Sequence, residues 1–421
     1  MAVHVINEAR RCLQCKKPLC QIQGCPIKTD IPEMIRLFLS GKIEEAAMML
    51  FMNNPLSIVC SLVCDHDKQC EGNCIQGKRG SAIHVSSIEN YISDAFLDKL
   101  TLTREVSKGE KAAIVGSGPA GLTVAVILAM RGYDVTIFER KEHIGGMLRY
   151  GIPEFRLPKS ILGRYQKRLR QLGILIRPNT TIGGALHLDD LFNDGYGAIF
   201  IGSGTWRARR LGVPGESLGN VHYSIDYLQN PDVYELGDRV AVIGSGNSAM
   251  DAARTALRKG SRSVTVYARG ATVSASPREL DYLLADGAEL FYGMGIQKIT
   301  TDGPVFIQRT FNEEGTAISE SEPMLFPADS TIIAISQQPK DKLINTTAGL
   351  VSNEKGLLET DASGQTTRAG IFACGDVVTG PLNVVETVKT AKKEIKLKRS
   401  WKLQKKLLLP NLLMLKTLLS K

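Results

Sequence analysis

Eight of the nine cysteines lie between Cys12 and Cys74, in two runs. The first reads Cys12-x2-Cys15-x4-Cys20-x4-Cys25-Pro26 and the second Cys60-x3-Cys64-x5-Cys70-x3-Cys74, while Cys374 stands apart. Thiolates this dense hold either metal or one another. A disulfide framework needs an oxidising compartment, and the N-terminus MAVHVINEARRC lacks the apolar segment of an export signal. Structural zinc takes four ligands, usually in C-x2-C pairs, and only Cys12/Cys15 form one. Two iron–sulfur clusters need about eight ligands in closely spaced runs, the last Cys of one run often serving the other cluster. The spacing favours the clusters.

A second kind of chemistry sits at Lys111–Glu139. A short apolar run ends on Gly116-Ser117-Gly118-Pro119-Ala120-Gly121, an apolar Ala-rich stretch follows, and a second run, Asp134 to Phe138, ends on Glu139. Strand, G-x-G-x-x-G, helix, strand and terminal acid together predict a dinucleotide site. Gly116 makes the tight turn, Gly118 admits a pyrophosphate, Gly121 lets the helix pack, and Glu139 accepts from a ribose hydroxyl. The segment repeats with a difference: Arg239 to Ile243 runs into Gly244-Ser245-Gly246-Asn247-Ser248-Ala249, and Ser263 to Tyr267 ends on Ala268-Arg269. A cation where an acid would bind a free 2′-hydroxyl argues for a 2′-phosphate, hence NADP rather than NAD, with Arg262 assisting. Gly145 to Pro158 (GGMLRYGIPEFRLP) suits a loop lying against a flat ring, and Gly375-Asp376 closes a further apolar strand, where the carboxylate can accept from a flavin's ribityl hydroxyls.

The elements that carry these residues define an α/β chain of two Rossmann-like dinucleotide-binding domains, the second inserted in the first, preceded by a small α-helical iron–sulfur domain. The expected divisions are 1–107 for the cluster unit, 108–228 with 336–393 for an FAD domain, 229–335 for an NAD(P)H domain, and 394–421 for a Lys/Leu-rich tail. Within the first unit Ile31 to Met52 has helical spacing broken at Ser40-Gly41, and Ile83 to Leu100 reads as another helix. So small a unit has little core and needs an inorganic staple. At 421 residues the whole is too long for one core. The net charge of +9 is carried by the tail: from Lys389 onward eleven basic residues face one acid, leaving the preceding 388 residues near −1. A basic body for nucleic acid is therefore absent. Residues 112–130 carry no charge, but their glycines and proline mark a buried βα unit, not a membrane span. A cytoplasmic protein without a transmembrane segment is expected.

The two cysteine runs, GSGPAG, GGMLRYGIPEFRLPK, GSGNSAMDAARTA and IFACGDVVTG together resemble the small (beta) subunit family of NADPH-dependent glutamate synthase. Its relatives include the amino-terminal half of dihydropyrimidine dehydrogenase and the flavin subunit of a ferredoxin:NADP oxidoreductase. The resemblance spans about residues 8 to 393. It implies two [4Fe-4S] clusters with crossed ligation: Cys12, Cys15, Cys20 and Cys74 on one, and Cys25, Cys64, Cys70 and Glu89 on the other, with Cys60 as the substitute for Glu89. It also implies FAD against Gly116, Gly118, Pro119, Ala120, Gly121, Glu139, Arg140, Gly146, Met147, Leu148, Arg156, Gly375 and Asp376, and NAD(P)H against Gly244, Gly246, Asn247, Ser248, Ala249 and Arg269. Three features differ from the family: four residues instead of three precede Cys25, Ala268 replaces the first of two arginines, and the tail is a crude Lys/Leu tract. The implied activity moves electrons between NAD(P)H and a partner subunit or ferredoxin through FAD and the clusters, with no catalytic acid, base or nucleophile. Subunits of dihydropyrimidine dehydrogenase or of a ferredoxin:NADP enzyme are the alternative, a metal-binding scaffold the remoter one. A disulfide reductase would need a cysteine pair beside the flavin, and none lies between Cys74 and Cys374.

Overall fold

The structure, a computed structural model, describes residues 2–397, and side chains over residues 3–393. The N-terminal unit packs the helices Ala2–Arg10, Ile31–Leu39, Ile43–Asn53, Ser57–Val63 and Val85–Phe96. Asp30 starts the second of these by accepting from the Glu33 N–H at 3.3 Å, with Pro32 in the first turn. Gly41, at φ +76°, ends it where the sequence places the break. The helix expected over 83–100 is shorter, Val85–Phe96. Ile35, Phe38, Leu50, Ile58, Ile88 and Ile92 fill the core; apart from Cys60, which lies in the Ser57–Val63 helix, the cysteines of this unit sit in the segments between the α-helices. The extra residue before Cys25 is absorbed by a wide π-type turn, Cys20–Gly24, closed by the Cys25 N–H on the Cys20 carbonyl at 2.8 Å.

The first dinucleotide unit is a five-stranded parallel sheet in the order Ile371–Ala373, Tyr196–Ile201, Lys111–Val115, Asp134–Phe138, Leu175–Arg177. The second repeats the plan with Val221–Tyr223, Ser330–Ile333, Arg239–Ile243, Ser263–Tyr267, Glu289–Phe291. Its edge strand Val221–Tyr223 precedes the start expected at 229, because a three-residue strand leaves no alternation to read. An antiparallel sheet of Met294–Thr300, Gly303–Phe311, Ala317–Glu320 and Met324–Leu325 completes this unit. The chain passes between the units twice, and the crossings pair as a short antiparallel ribbon, Arg207–Ala208 with Gln337–Gln338. The first unit therefore closes only after the second, with Ile371–Ala373.

The closing helix Val384–Leu397 lies against Pro119–Met130 and the Ser57–Val63 helix. Lys392 donates to Asn53 Oδ1 at 2.6 Å, which fixes the cluster unit on the first sheet. From 398 the expected tail lies outside the described residues. Among the described residues no single helix is long and apolar enough to cross a membrane; Ile43–Asn53 and Ser57–Val63 pass only together, bent by 83°.

Candidate functional site

Glycine geometry shapes the first turn. Gly116 has φ +98°, and a Cβ there would meet the Gly202 carbonyl at 2.7 Å; one at Gly121 would meet the Gly116 carbonyl at 2.0 Å. Gly118 is different: only the Gly202 oxygen lies within reach, at 4.0 Å, so its missing side chain opens space into the cleft and not a helix contact. Pro119 opens the following helix and Ala120 packs beneath it, leaving the first N–H groups free for an anion. Glu139 is 6% exposed; one oxygen accepts from the Ser117 N–H at 2.9 Å and Oγ at 2.5 Å, the other from the Lys141 N–H at 2.8 Å. These bonds aim the carboxylate and leave lone pairs for hydroxyl donors.

Gly116, Ser117, Gly118, Pro119, Ala120 and Glu139 border one cleft of about 540 Å³, with Arg140, Gly146, Met147, Leu148, Arg156 and Asp376 on other walls. The size suits an organic cofactor. Arg140 lies over the Trp206 ring at 5.4 Å. Gly146, at φ +53°, brings the loop within 2.8 Å of the Gly118 Cα by its virtual Cβ, so it too must be glycine. Lys159, which sequence reasoning passed over, pins that loop from behind, donating to the carbonyls of Leu148 and Leu157 at 3.0 and 3.1 Å and to that of Ile152; burial pushes its ammonium down to about 8. Gly375 turns at φ +74° and places Asp376 at the far wall, where it accepts from the Leu382 N–H at 3.3 Å and burial pushes the carboxyl up to about 6.

The second turn contributes Asn247 and Ser248 to the same cleft. Gly244, at φ +155°, would drive a Cβ into the Ala334 carbonyl at 2.3 Å, and Ala249 fits close behind it in place of a third glycine. Gly246 faces open space apart from Ser274 Oγ at 3.5 Å. Arg269 is exposed past the end of its strand and Ala268 is buried. Arg262, the expected assistant, instead precedes that strand at its opposite end, 3.3 Å from Asp238. Arg156 does more than line the cleft: it is 2.7 Å from Asp251 and 2.8 Å from Glu279, both buried in the second unit. Neither partner was legible, since each lies far along the chain.

The N-terminal cysteines fall in two neighbourhoods. Cys12, Cys15, Cys20 and Cys74 line one small cavity. Burial, and then the neighbouring Cys74, push Cys20 up to about 12. Cys25, Cys64 and Cys70 share a second site with Glu89, which acts on all three thiols; burial raises Glu89 to about 8. Cys60, one helical turn before Cys64, pushes the Cys64 thiol up further. Among the described residues no three His, Cys, Asp or Glu side chains converge as a single metal ion requires. Soft thiol ligands, most of them half-buried with Cys70 buried, fit iron–sulfur ligation by their donor chemistry. Val63, the residue before Cys64, lines the 540 Å³ cleft, so the second set adjoins it.

Residues 110–394 match the pyridine nucleotide-disulphide oxidoreductase family, and residues 2–100 match dihydropyrimidine dehydrogenase domain II, 4Fe-4S cluster. Among solved structures the chain is similar to FprA from Mycobacterium tuberculosis in complex with NADPH, at 18% identity and TM-score 0.56 over 68% of this chain and 84% of that one. It is also similar to thioredoxin reductase from T. acidophilum, at 22% identity and TM-score 0.52 over 67% and 95%; these share the fold. Fold and site together define an electron-transfer oxidoreductase subunit that uses FAD, NAD(P) and an iron–sulfur domain. The small chain of NADPH glutamate synthase from Halomonas elongata is 35% identical over 90% of this chain and 87% of that one, and the Escherichia coli small chain is 32% identical over 92% and 89%. The subunit PreT of NAD-dependent dihydropyrimidine dehydrogenase from Salmonella typhimurium is 33% identical over 92% of each. The chain belongs to the glutamate synthase small-chain family.

Proposed function

We propose that this chain is the NAD(P)H-oxidising subunit of a cytoplasmic complex, most like glutamate synthase, and passes electrons to a partner subunit through FAD and two [4Fe-4S] clusters. The contact that carries this reading is Val63, which lines the cleft and is bonded to Cys64 of the second thiol set. When bound, FAD converts a two-electron donor into one-electron steps. The chain's own work is positional. The Gly116–Gly121 turn and its helix N-terminus bind pyrophosphate, Glu139 orients a ribose, and Asp376 accepts from the ribityl chain. The loop at 146–158, held by Lys159, keeps water from the ring. Gly244, Gly246, Asn247, Ser248 and Ala249 seat the nicotinamide nucleotide, and Arg269 binds a 2′-phosphate. Cys12, Cys15, Cys20 and Cys74 ligate one cluster; Cys25, Cys64, Cys70 and Glu89 ligate the other.

Anaerobic purification followed by metal and acid-labile sulfide analysis tests the reading. About eight iron per chain is expected, two clusters of four; colourless protein, or protein with zinc alone, overturns it. The PreT relative supports a second reading, the corresponding subunit of a dihydropyrimidine dehydrogenase. The partner that co-purifies with the native complex decides: a glutaminase-bearing subunit supports the first, a pyrimidine-reducing subunit the second.

A further inference from the structure

The helix Pro277–Ala285 belongs to the second dinucleotide unit, yet its first turn reaches into both neighbouring units. Glu279 takes Arg156 from the cleft loop at 2.8 Å. The residue before it, Arg278, turns to the cluster unit, where its guanidinium is 3.0 Å from Glu71 Oε2 and 3.5 Å from Asp67 Oδ1. Glu71 is 5% exposed, and its other oxygen accepts from the Ser86 N–H at 2.8 Å and Oγ at 2.6 Å. It is peptide-bonded to Cys70, so its carboxylate stands next to that thiol set. A fixed anion so close to a thiolate set disfavours every added electron, and a cation on the anion offsets that effect. That cation is supplied from 207 residues away along the chain, by a different unit.

We propose that Arg278 is a positioning residue which docks the pyridine-nucleotide unit on Glu71 and, by offsetting that carboxylate, makes the second thiol set easier to reduce. Docking of the unit that delivers electrons and readiness of the group that receives them are then coupled through one guanidinium. The inference rests on the reading of Cys25, Cys64, Cys70 and Glu89 as a cluster site.

Redox titration of the full-length, anaerobically purified protein, followed by electron paramagnetic resonance, tests it. In Arg278→Gln one of the two cluster midpoints moves to more negative potential while the other holds, and Arg278→Lys restores most of the shift. An unmoved midpoint in Arg278→Gln at native iron content overturns the proposal, as does an equal shift in Arg278→Lys. If Arg278→Gln loses iron, Glu71→Gln decides: a shift to more positive potential supports the proposal, and no shift or a negative one overturns it. Absence of iron from the unmutated protein is a different failure, that of the cluster reading itself, and the iron assay reveals it before any potential is read.

Discussion

Asp376 presents a carboxyl that burial pushes up to about 6 against the opposing hydrogen bonds of the Leu382 N–H and the Thr387 hydroxyl. Hydroxyl donors from a bound ribityl chain favour the ionised form, so affinity for FAD depends on that ionisation. The carboxyl of the free protein takes up its proton as pH falls through about 6, and binding must then expel it. The apparent Kd for FAD is therefore flat above about pH 6 and weakens by up to about tenfold per pH unit below it. Fluorescence titration of the apoprotein from pH 7.5 to 5 shows this slope, and Asp376→Asn abolishes it while binding more weakly throughout. Gly375-Asp376 was legible because a strand stopped on it. Lys159 was not: three carbonyls converge on its ammonium only once the loop has folded, and nothing in the spacing of Leu157-Pro158-Lys159 signals that.

At the scale of an element, the Gly116–Gly121 turn separates two requirements that the sequence pattern merges. A methyl group at Gly121 would collide with backbone at 2.0 Å, whereas one at Gly118 would protrude into the cleft with nothing closer than 4.0 Å. Gly121→Ala is expected to lower the melting temperature of the apoprotein, because strand and helix must separate to admit the methyl. Gly118→Ala leaves that temperature within about a degree and reduces FAD affinity at least tenfold, since the methyl occupies the space of the pyrophosphate. Differential scanning fluorimetry with and without FAD distinguishes the two. The turn was readable because strand, glycines and helix are contiguous and each has a local signature. The ends of helices were less so: the helix expected over 83–100 stops at Phe96, with apolar residues beyond it contributing to the core from irregular chain. Leu97 and Leu100 are buried there, which extended the apparent periodicity.

Across the whole molecule, the units are joined by buried charge. Arg156 meets Asp251 and Glu279; Arg254, at 2.9 Å, shares the latter. Burial pushes Asp251 up to about 6 against the opposing pull of Arg156. Arg156→Met leaves Asp251 without its cation and is expected to cost about 3–5 kcal/mol of stability at pH 8 by urea unfolding. The folded state then binds a proton at Asp251 more tightly than the unfolded chain does, so stability falls as pH rises from about 4 through the folded value, and acidification relieves the loss. The variant's deficit is accordingly smaller at pH 5 than at pH 8. Arg156 was conspicuous in the sequence, but as a cleft residue; its partner Asp251 is 95 residues away, and ion pairs over such separations carry no local pattern. The same holds for Arg278 and Glu71. What the residue order did convey was the interruption of one dinucleotide fold by another.

The paired crossings Arg207–Ala208 and Gln337–Gln338 bear on how that interruption is assembled. Ile371 must find Ile199 across a loop that contains an entire domain. If the intervening domain folds first, its own ends are already clasped, and the loop left to close is roughly fourfold shorter, which lowers the entropic cost by about 1 kcal/mol. The guest thus acts as a folding clamp for its host. Pulsed hydrogen exchange during refolding should protect Val240–Ile243 before Ile371–Ala373, and the reverse order would show that the host closes unaided.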